Sequence, residues 1–179
     1  MGRPVAANGD RKVNQAHWRT PGHDQGDERM RRLVQAARAG DWPAGDALGS
    51  LTLPFDRRSR RRVRLATDSG ELVLLDLAQP AALAEGDGLA FEDGGWLAVH
   101  AAPEDVLDIA ARDACHLARL AWHLGNRHLP VEVLRDGGLR IVYDHVIEAM
   151  LEGLGARCAR RRAPFQPEAG AYAGGHAHD

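Results

Sequence analysis

The sequence has few of the residues and segments that mark several large classes of protein. Only 5% of its 179 residues are aromatic, and its two cysteines, Cys115 and Cys158, lie far apart with no CxxC spacing. Neither a disulfide framework nor a thiolate metal site is therefore indicated. No apolar run approaches the roughly 20 residues that span a bilayer, and the amino terminus lacks the hydrophobic segment of a secretion signal. We expect a cytoplasmic protein that does not associate with membranes.

The motifs that carry enzymatic chemistry are also missing. The sequence has no nucleophile elbow, no phosphate-binding GxxxxGK[ST] loop, no HExxH motif and no paired carboxylates in a recognisable frame. We therefore predict that the chain is not an enzyme. A formal net charge of −2 argues against a general polyanion binder, although 22 of the 23 basic residues are arginines and these are clustered.

The first half of the chain is predicted to form a flexible leader and a small β domain. Residues 1–49 are interpreted as the leader, in which the run from Glu28 to Gly40 has the spacing of a short helix that tertiary contacts can turn into a strand. From residue 50 to residue 102 the pattern becomes alternating, with five short segments separated by turns rich in Gly and Asp. This part is predicted to be an all-β domain.

The second half is predicted to alternate strands with helices. Residues 103–166 have the order βαββαβ, which is typical of a ferredoxin-like domain with four antiparallel strands and two helices. Residues 167–179 revert to Gly and Ala and are interpreted as a flexible tail that contains His176 and His178. The predicted fold class is thus α+β, a small N-terminal all-β domain followed by a ferredoxin-like βαββαβ domain.

A cluster of arginines between Arg57 and Arg64, here called the basic run, permits three interpretations. It could contact nucleic acid, dock an acidic protein, or form a solvated strand edge that discourages aggregation. Alternation within the segment predicts that Val63, Leu65 and Thr67 share one face of a strand while Arg62 and Arg64 share the other.

One histidine stands at a position where a helix ends. The predicted helix that ends at Gly125 and Asn126 is followed by His128, and Gly and Asn tolerate the left-handed conformation that ends helices. His128 is therefore expected at a rigid corner, where a metal-ligand role competes with a purely structural one. His145 follows the predicted helix cap Asp144, and there a ligand role and an ordinary surface role are equally plausible.

The other histidines differ in how well they are placed to bind one ion. His116 and His123 share a helix face, but two turns separate them by about 10.5 Å, so they are interpreted as polar-face or partner-facing residues. In the tail, His176 and His178 form a His-x-His pair on a backbone that is free to orient both imidazoles toward one ion. Imidazole suits nickel, copper and zinc alike.

Four segments together resemble urease accessory protein E, a family of nickel metallochaperones. They are HLGNRHLP (123–130), YDHVIEAMLEGLG (143–155), PFQPEAGAYAGGH (164–176) and LTLPFDRRSRRRVRLATDSGELVLLDL (51–77). The resemblance implies a homodimer with an N-terminal, protein-binding β domain and a metal-binding ferredoxin-like domain. It also implies that nickel is delivered to the urease maturation GTPase and the urease apoprotein complex.

The same resemblance implies a set of metal ligands. His128 matches the metal-binding histidine of the family's GNRH motif, whose two copies meet at the dimer axis, and His176 and His178 match the ligands of the family's tails. Some relatives have a further histidine where this chain has Tyr143, so the resemblance leaves His145 as a minor candidate. Nickel is the expected metal, with zinc or copper able to bind in vitro.

An RNA-binding module is the alternative interpretation. The order βαββαβ is also that of the RNA-recognition domain, and the basic run would suit RNA. Such domains stack bases on aromatic residues of their central strands. The corresponding segments here, LPVEVL and LRIVY, offer only Tyr143, so nucleic acid is not the expected partner.

Overall fold

The computed structural model of the chain describes residues 30–168, and these form two β-sheets that meet at residue 102. The first sheet has six strands in the order β2-β6-β5-β1-β4-β3. Two single 3₁₀ turns, Ala44–Asp46 and Phe55–Arg57, flank β2. The strands are β1 (Arg31–Ala37), β2 (Ala47–Leu53), β3 (Arg62–Ala66), β4 (Leu72–Asp76), β5 (Gly88–Phe91) and β6 (Trp96–Ala101).

The segment interpreted as a short helix is a strand inside this sheet. β1 pairs in parallel with β4 and antiparallel with β5, and Leu33 at its centre is fully buried. Hydrogen-bonded neighbours on both sides override the local helical spacing. The sheet therefore begins at Arg31 rather than at residue 50, which corrects our expectation of a flexible leader up to residue 49. Residues 1–29 of that leader lie outside the described residues.

The five β segments expected after residue 50 are confirmed as strands, although β2 begins slightly earlier. In β3, Val63 and Leu65 point inward while Arg62 and Arg64 point outward, as the alternation predicts. The inward residues of all six strands build one apolar core. Its members include Leu33, Leu51, Leu65, Val73, Leu75, Leu89, Leu97 and Val99.

The second sheet confirms the ferredoxin-like order. Its elements are β7 (Pro103–Ala110), α1 (Ala114–Gly125), β8 (Glu132–Val133), β9 (Leu139–Val142), α2 (His145–Gly153) and β10 (Arg157–Pro164). All pairings are antiparallel, and the strand order is β10-β7-β9-β8. One face of this sheet packs on both helices. Leu107, Ile109, Leu120, Leu124, Leu139, Ile141 and Leu151 form the core between them.

Each helix of this domain begins at a capping aspartate. Asp113 accepts a hydrogen bond from the His116 amide at 2.8 Å, and Asp144 accepts from the Val146 and Ile147 amides at 2.8 and 3.1 Å. These amide donors hold the pKa of the Asp144 carboxyl below its usual value. The cap fixes His145 in the first turn of α2.

Within residues 30–168, neither helix has the length and apolar character needed to cross a membrane.

Candidate metal centre

His128 lies in a left-handed turn that ends helix α1. Its amide donates to the Gly125 carbonyl at 2.9 Å, and the Leu129 amide donates back to the Leu124 carbonyl at 3.4 Å. These two bonds form a Schellman motif, in which the residue before the last donor takes the left-handed conformation. That residue is His128, with φ 54°, whereas Asn126 keeps φ −63°. The rigid corner is thus present, but our assignment of the left-handed residue to Gly125 or Asn126 was wrong.

The conformation of His128 is unusual among the side chains of this protein. Within residues 30–168, every other residue with positive φ is a glycine. A side chain in the left-handed region costs roughly 1–2 kcal/mol, because Cβ approaches the following carbonyl oxygen, although histidine is among the residues that are enriched there. Retaining an imidazole where glycine would be more stable is typical of a functional position.

The imidazole of His128 is exposed and available for a ligand. Nothing in residues 30–168 forms a hydrogen bond or ion pair with its ring. The same part of the chain contains no group of three or more His, Cys, Asp or Glu side chains that could hold a metal ion. His128 therefore offers one nitrogen per chain, and any further ligands would have to come from outside residues 30–168 or from a second molecule.

After its last strand, β10, the chain runs toward the turn that carries His128. The Glu168 amide donates to the Val131 carbonyl at 2.8 Å, and the Gln166 amide donates to the Glu132 carboxylate at 2.9 Å. Val131 is only three residues after His128, so the two positions are at most about 11 Å apart along the chain. His176 and His178 lie outside the described residues, but the chain that leads to them starts close to His128.

The remaining predicted histidine, His145, is exposed in the first turn of α2. Its neighbour Glu148 is engaged by Arg160 at 2.5 Å, which holds the pKa of that carboxyl below its usual value. Within residues 30–168, His145 does not belong to any group of three or more His, Cys, Asp or Glu side chains that could hold a metal ion. A metal role for His145 stays a prediction.

The two histidines of helix α1 have different environments. His116 is buried, with 3% of its surface exposed; its Nδ1 accepts from the Arg112 amide at 3.1 Å, and its Nε2 lies 3.1 Å from the Leu154 carbonyl. The interpretation of His116 as a polar-face or partner-facing residue was therefore wrong. His123 is half-buried, and its ring packs edge-on against Trp122 with 5.0 Å between centroids.

Trp122 presents an exposed apolar surface on α1, the helix that ends at the turn of the candidate ligand. Its side chain is 62% exposed, and Cys115, Ala118 and Gly125 lie on the same exposed side of α1 at helical spacing. This face was not predicted from the sequence; the core of the domain uses Leu120 and Leu124 of the same helix. The signal was present: a tryptophan out of phase with the leucines points away from the core.

The basic run is divided into different roles by the fold. Arg58 is buried, and Arg62 lies 3.2 Å from the Asp76 carboxylate. Arg60 and Arg61 remain exposed. Only part of the run can therefore contact a partner.

The arrangement around Tyr143 does not match an RNA-stacking surface. Its ring packs on the helix side of the sheet, with the Arg160 guanidinium 4.2 Å from the ring centroid. Burial raises the pKa of the Tyr143 hydroxyl, which donates to Glu148. The one aromatic residue that the RNA alternative relied on is thus not on the open face of the sheet, where such domains stack bases.

Two family models match the chain. The N-terminal domain of the UreE urease accessory protein matches residues 28–102, and the C-terminal domain matches residues 104–179. The curated urease accessory protein UreE of Mesorhizobium japonicum is 48% identical over 145 residues, which is 81% of this chain and 74% of that protein. UreE of Rhizobium rhizogenes is 45% identical over 83% of this chain and 89% of its own length. UreE of a Bradyrhizobium species is 54% identical over 71% of this chain but only 61% of its own length.

Proposed function

Since the chain belongs to the UreE family of urease accessory proteins, we propose that it is a cytoplasmic nickel metallochaperone that binds nickel at a dimer interface and delivers it for urease maturation. The observation that carries this proposal is the exposed imidazole of His128, held in a left-handed turn where glycine is ordinarily found. Backbone strain retained at an exposed imidazole supports a ligand role more directly than the position of His128 in the sequence does.

A dimer supplies the second ligand. In an isologous contact each position occurs twice around the two-fold axis, so one His128 per chain becomes two nitrogen ligands. The exposed face around Trp122 reaches Gly125, whose carbonyl accepts from the His128 amide, and tryptophan is enriched at interface centres. We therefore propose that this face of α1 meets its own copy.

The tail would complete the ligand set while keeping nickel binding reversible. A carrier must bind metal tightly yet release it, so a closed four-ligand cage would work against delivery. Two fixed imidazoles plus His176 and His178 on a tether meet both demands, because the tether raises affinity through effective concentration and can withdraw during transfer. The imidazole set accepts zinc and copper as well as nickel, so selectivity in the cell depends on metal supply and on the partner.

The dimer is tested by replacing the exposed tryptophan. Trp122→Glu places a carboxylate in the proposed interface, so we expect a folded monomer whose nickel affinity is at least tenfold lower. Light scattering gives the mass, and calorimetry gives the affinity. Leu72→Glu is the matched control, since Leu72 in the β domain is 60% exposed and its substitution should leave a dimer with parental affinity.

Two results would contradict this interface. One is a Trp122→Glu protein that remains dimeric. The other is a parent protein that stays monomeric with nickel at tens of micromolar, which is roughly the concentration at which a site of modest affinity should assemble.

The proposed recipients are the urease maturation GTPase and the urease apoprotein complex. Arg60 and Arg61 are exposed on the β domain, in the part of the basic run that the fold leaves available. Exposed charges of one sign mainly accelerate and orient association with a partner of opposite charge. We therefore propose this patch as the docking surface for an acidic partner.

Replacing Arg60 and Arg61 with serine should reduce urease activation severalfold without changing nickel affinity. The patch is on the β domain, and His128 is on the other domain, so the two properties should separate. Urease activity in cells that express each variant, alongside calorimetry, checks this. Arg135→Ser with Arg157→Ser removes the same charge from exposed positions elsewhere and serves as the control. Equal losses in both double variants would show that net charge, not this patch, matters.

A further inference from the structure

Arg58 is buried at the junction of the two domains. Only 3% of its surface is exposed, and its guanidinium donates to the Leu83 carbonyl of the β domain at 3.1 Å and to the Phe165 carbonyl of the ferredoxin-like domain. Its Nε has no hydrogen-bond partner within residues 30–168. Burial lowers the pKa of the guanidinium, and the nearby carboxylates of Glu104, Glu85 and Glu132 oppose that change. A buried cation of this kind is retained at a cost and therefore calls for an explanation.

The residue that Arg58 holds begins a short ordered segment, residues 165–168, here called the strap. Phe165 is fully buried and packs edge-on against Phe55 of the β domain, with 5.2 Å between ring centroids. Gln166 accepts from the Glu85 amide at 2.8 Å and donates its own amide to Glu132. The strap is thus fixed to both domains by side chains and backbone.

Because of the strap, the tail leaves the domain near the β8 edge of the sheet rather than at the β10 edge. Strand β10 ends at Pro164 on one edge of the sheet, whereas β8 forms the opposite edge, three strand spacings or about 14 Å away. The strap runs across the helix-free face, where Arg140 Nη1 donates to the Pro164 carbonyl at 3.2 Å. It ends where the Glu168 amide meets the Val131 carbonyl, on the His128 side.

We propose that Arg58 is a positioning residue for the metal-binding tail: by holding the Phe165 carbonyl it keeps the strap in place, so that the chain toward His176 and His178 starts beside His128. This inference rests on the proposed function, in which the tail histidines are nickel ligands.

The expected size of the effect follows from the geometry of the tether. With the strap in place, His176 is eight residues after Glu168, a stretch of chain that reaches at most about 28 Å. Without it, the tether starts at Pro164, is half as long again and begins at the far edge of the sheet. For a flexible chain, the longer tether and the larger gap together lower the effective concentration of the tail histidines by about fivefold.

The test combines Arg58→Met with a tail that cannot ligate. Nickel affinity is measured by calorimetry for the parent, for Arg58→Met, for His176→Ala with His178→Ala, and for all three substitutions together. We expect Arg58→Met to weaken binding by about fivefold when the tail histidines are present and to have no effect when they are absent. Arg61→Met, at an exposed position of the same basic run, should change neither value.

Amide hydrogen exchange tests the strap without using nickel. The Gln166 and Glu168 amides should be protected in the parent and in Arg61→Met, and exchange at least tenfold faster in Arg58→Met. Where Arg58→Met does not fold, Gln166→Ala, which removes only the bond to the Glu85 amide, should give a smaller loss of protection in the same direction.

Distinct results overturn the inference and the proposed function. Unchanged protection in Arg58→Met, or an affinity loss that persists without tail histidines, would show that Arg58 does not position the tail. If the tail substitutions alone leave the parent's affinity unchanged, the proposed tail ligation is wrong and Arg58 has no role in nickel binding, whereas the exchange result still decides whether it holds the strap.

Discussion

Replacing His128 with alanine is expected to weaken nickel binding by at least a hundredfold and to leave a folded dimer. In the proposed dimer the substitution removes both His128 nitrogens at once, because a two-fold axis repeats every change at the interface. The tail histidines are then left without a fixed partner, and the loss corresponds to at least about 2.7 kcal/mol of binding free energy. Calorimetry measures the affinity, and light scattering verifies the dimer. A folded, dimeric His128→Ala protein with parental affinity would contradict the proposed site.

A matched substitution separates the metal role of His128 from its backbone role. His128→Gly also removes the imidazole, but glycine is the preferred residue at the left-handed position of a Schellman motif. We expect both variants to lose nickel equally, whereas the glycine protein should be more stable than the alanine protein by about 1 kcal/mol. Denaturant unfolding of the metal-free proteins compares them. If the His128→Ala protein were as stable as the His128→Gly protein, the strain assigned to this turn would be absent.

Most of the fold could be predicted because its signals are local. Alternation between turns identifies β2 to β6, and the capping aspartates Asp113 and Asp144 mark where the helices begin. Strand β1 could not be identified from its own residues, since its helical spacing is overridden by hydrogen bonding to β4 and β5, which are distant in sequence. The secondary structure of a short apolar run of this kind stays ambiguous between helix and strand until the strands that pair with it are known.

The turn that carries the candidate ligand was predictable in position but not in detail. Gly125 and Asn126 correctly indicated the end of the helix. The left-handed residue is instead His128, because the turn closes where Leu129 packs against the core and donates to Leu124. Local preference for glycine identifies which residues tolerate such a conformation, whereas the register of the closing hydrogen bonds decides which residue adopts it.

The strap could not be predicted, since its contacts join distant parts of the chain. Arg58 and Phe165 are 107 residues apart, and in the sequence Arg58 is indistinguishable from the arginines beside it. Burial separates the members of the basic run: the same residue type fixes the domain junction at Arg58 and remains available at Arg60 and Arg61. The path of the strap from the end of β10 to Val131 is therefore a property of the tertiary structure.

His116 shows the opposite case, a histidine whose role is structural. Its imidazole joins the Arg112 amide, just before α1, to the Leu154 carbonyl at the end of α2, so both ring nitrogens are already engaged. His116→Ala would leave the Arg112 amide and the Leu154 carbonyl without their partly buried hydrogen bonds and would open a cavity beside the core. We expect a loss of about 2–4 kcal/mol in the free energy of unfolding, measured by denaturant titration of the metal-free protein.

The nickel affinity of the folded His116→Ala protein should nevertheless match the parent, because the imidazole is enclosed and its two nitrogens are used within the domain. His116→Gln, whose amide can still donate to the Leu154 carbonyl, should recover part of the lost stability. His123→Ala, on the same helix but half-buried, should cost less than about 1 kcal/mol. A His116→Ala protein as stable as the parent would contradict the structural role, and one that is stable but has lost nickel would place His116 among the ligands.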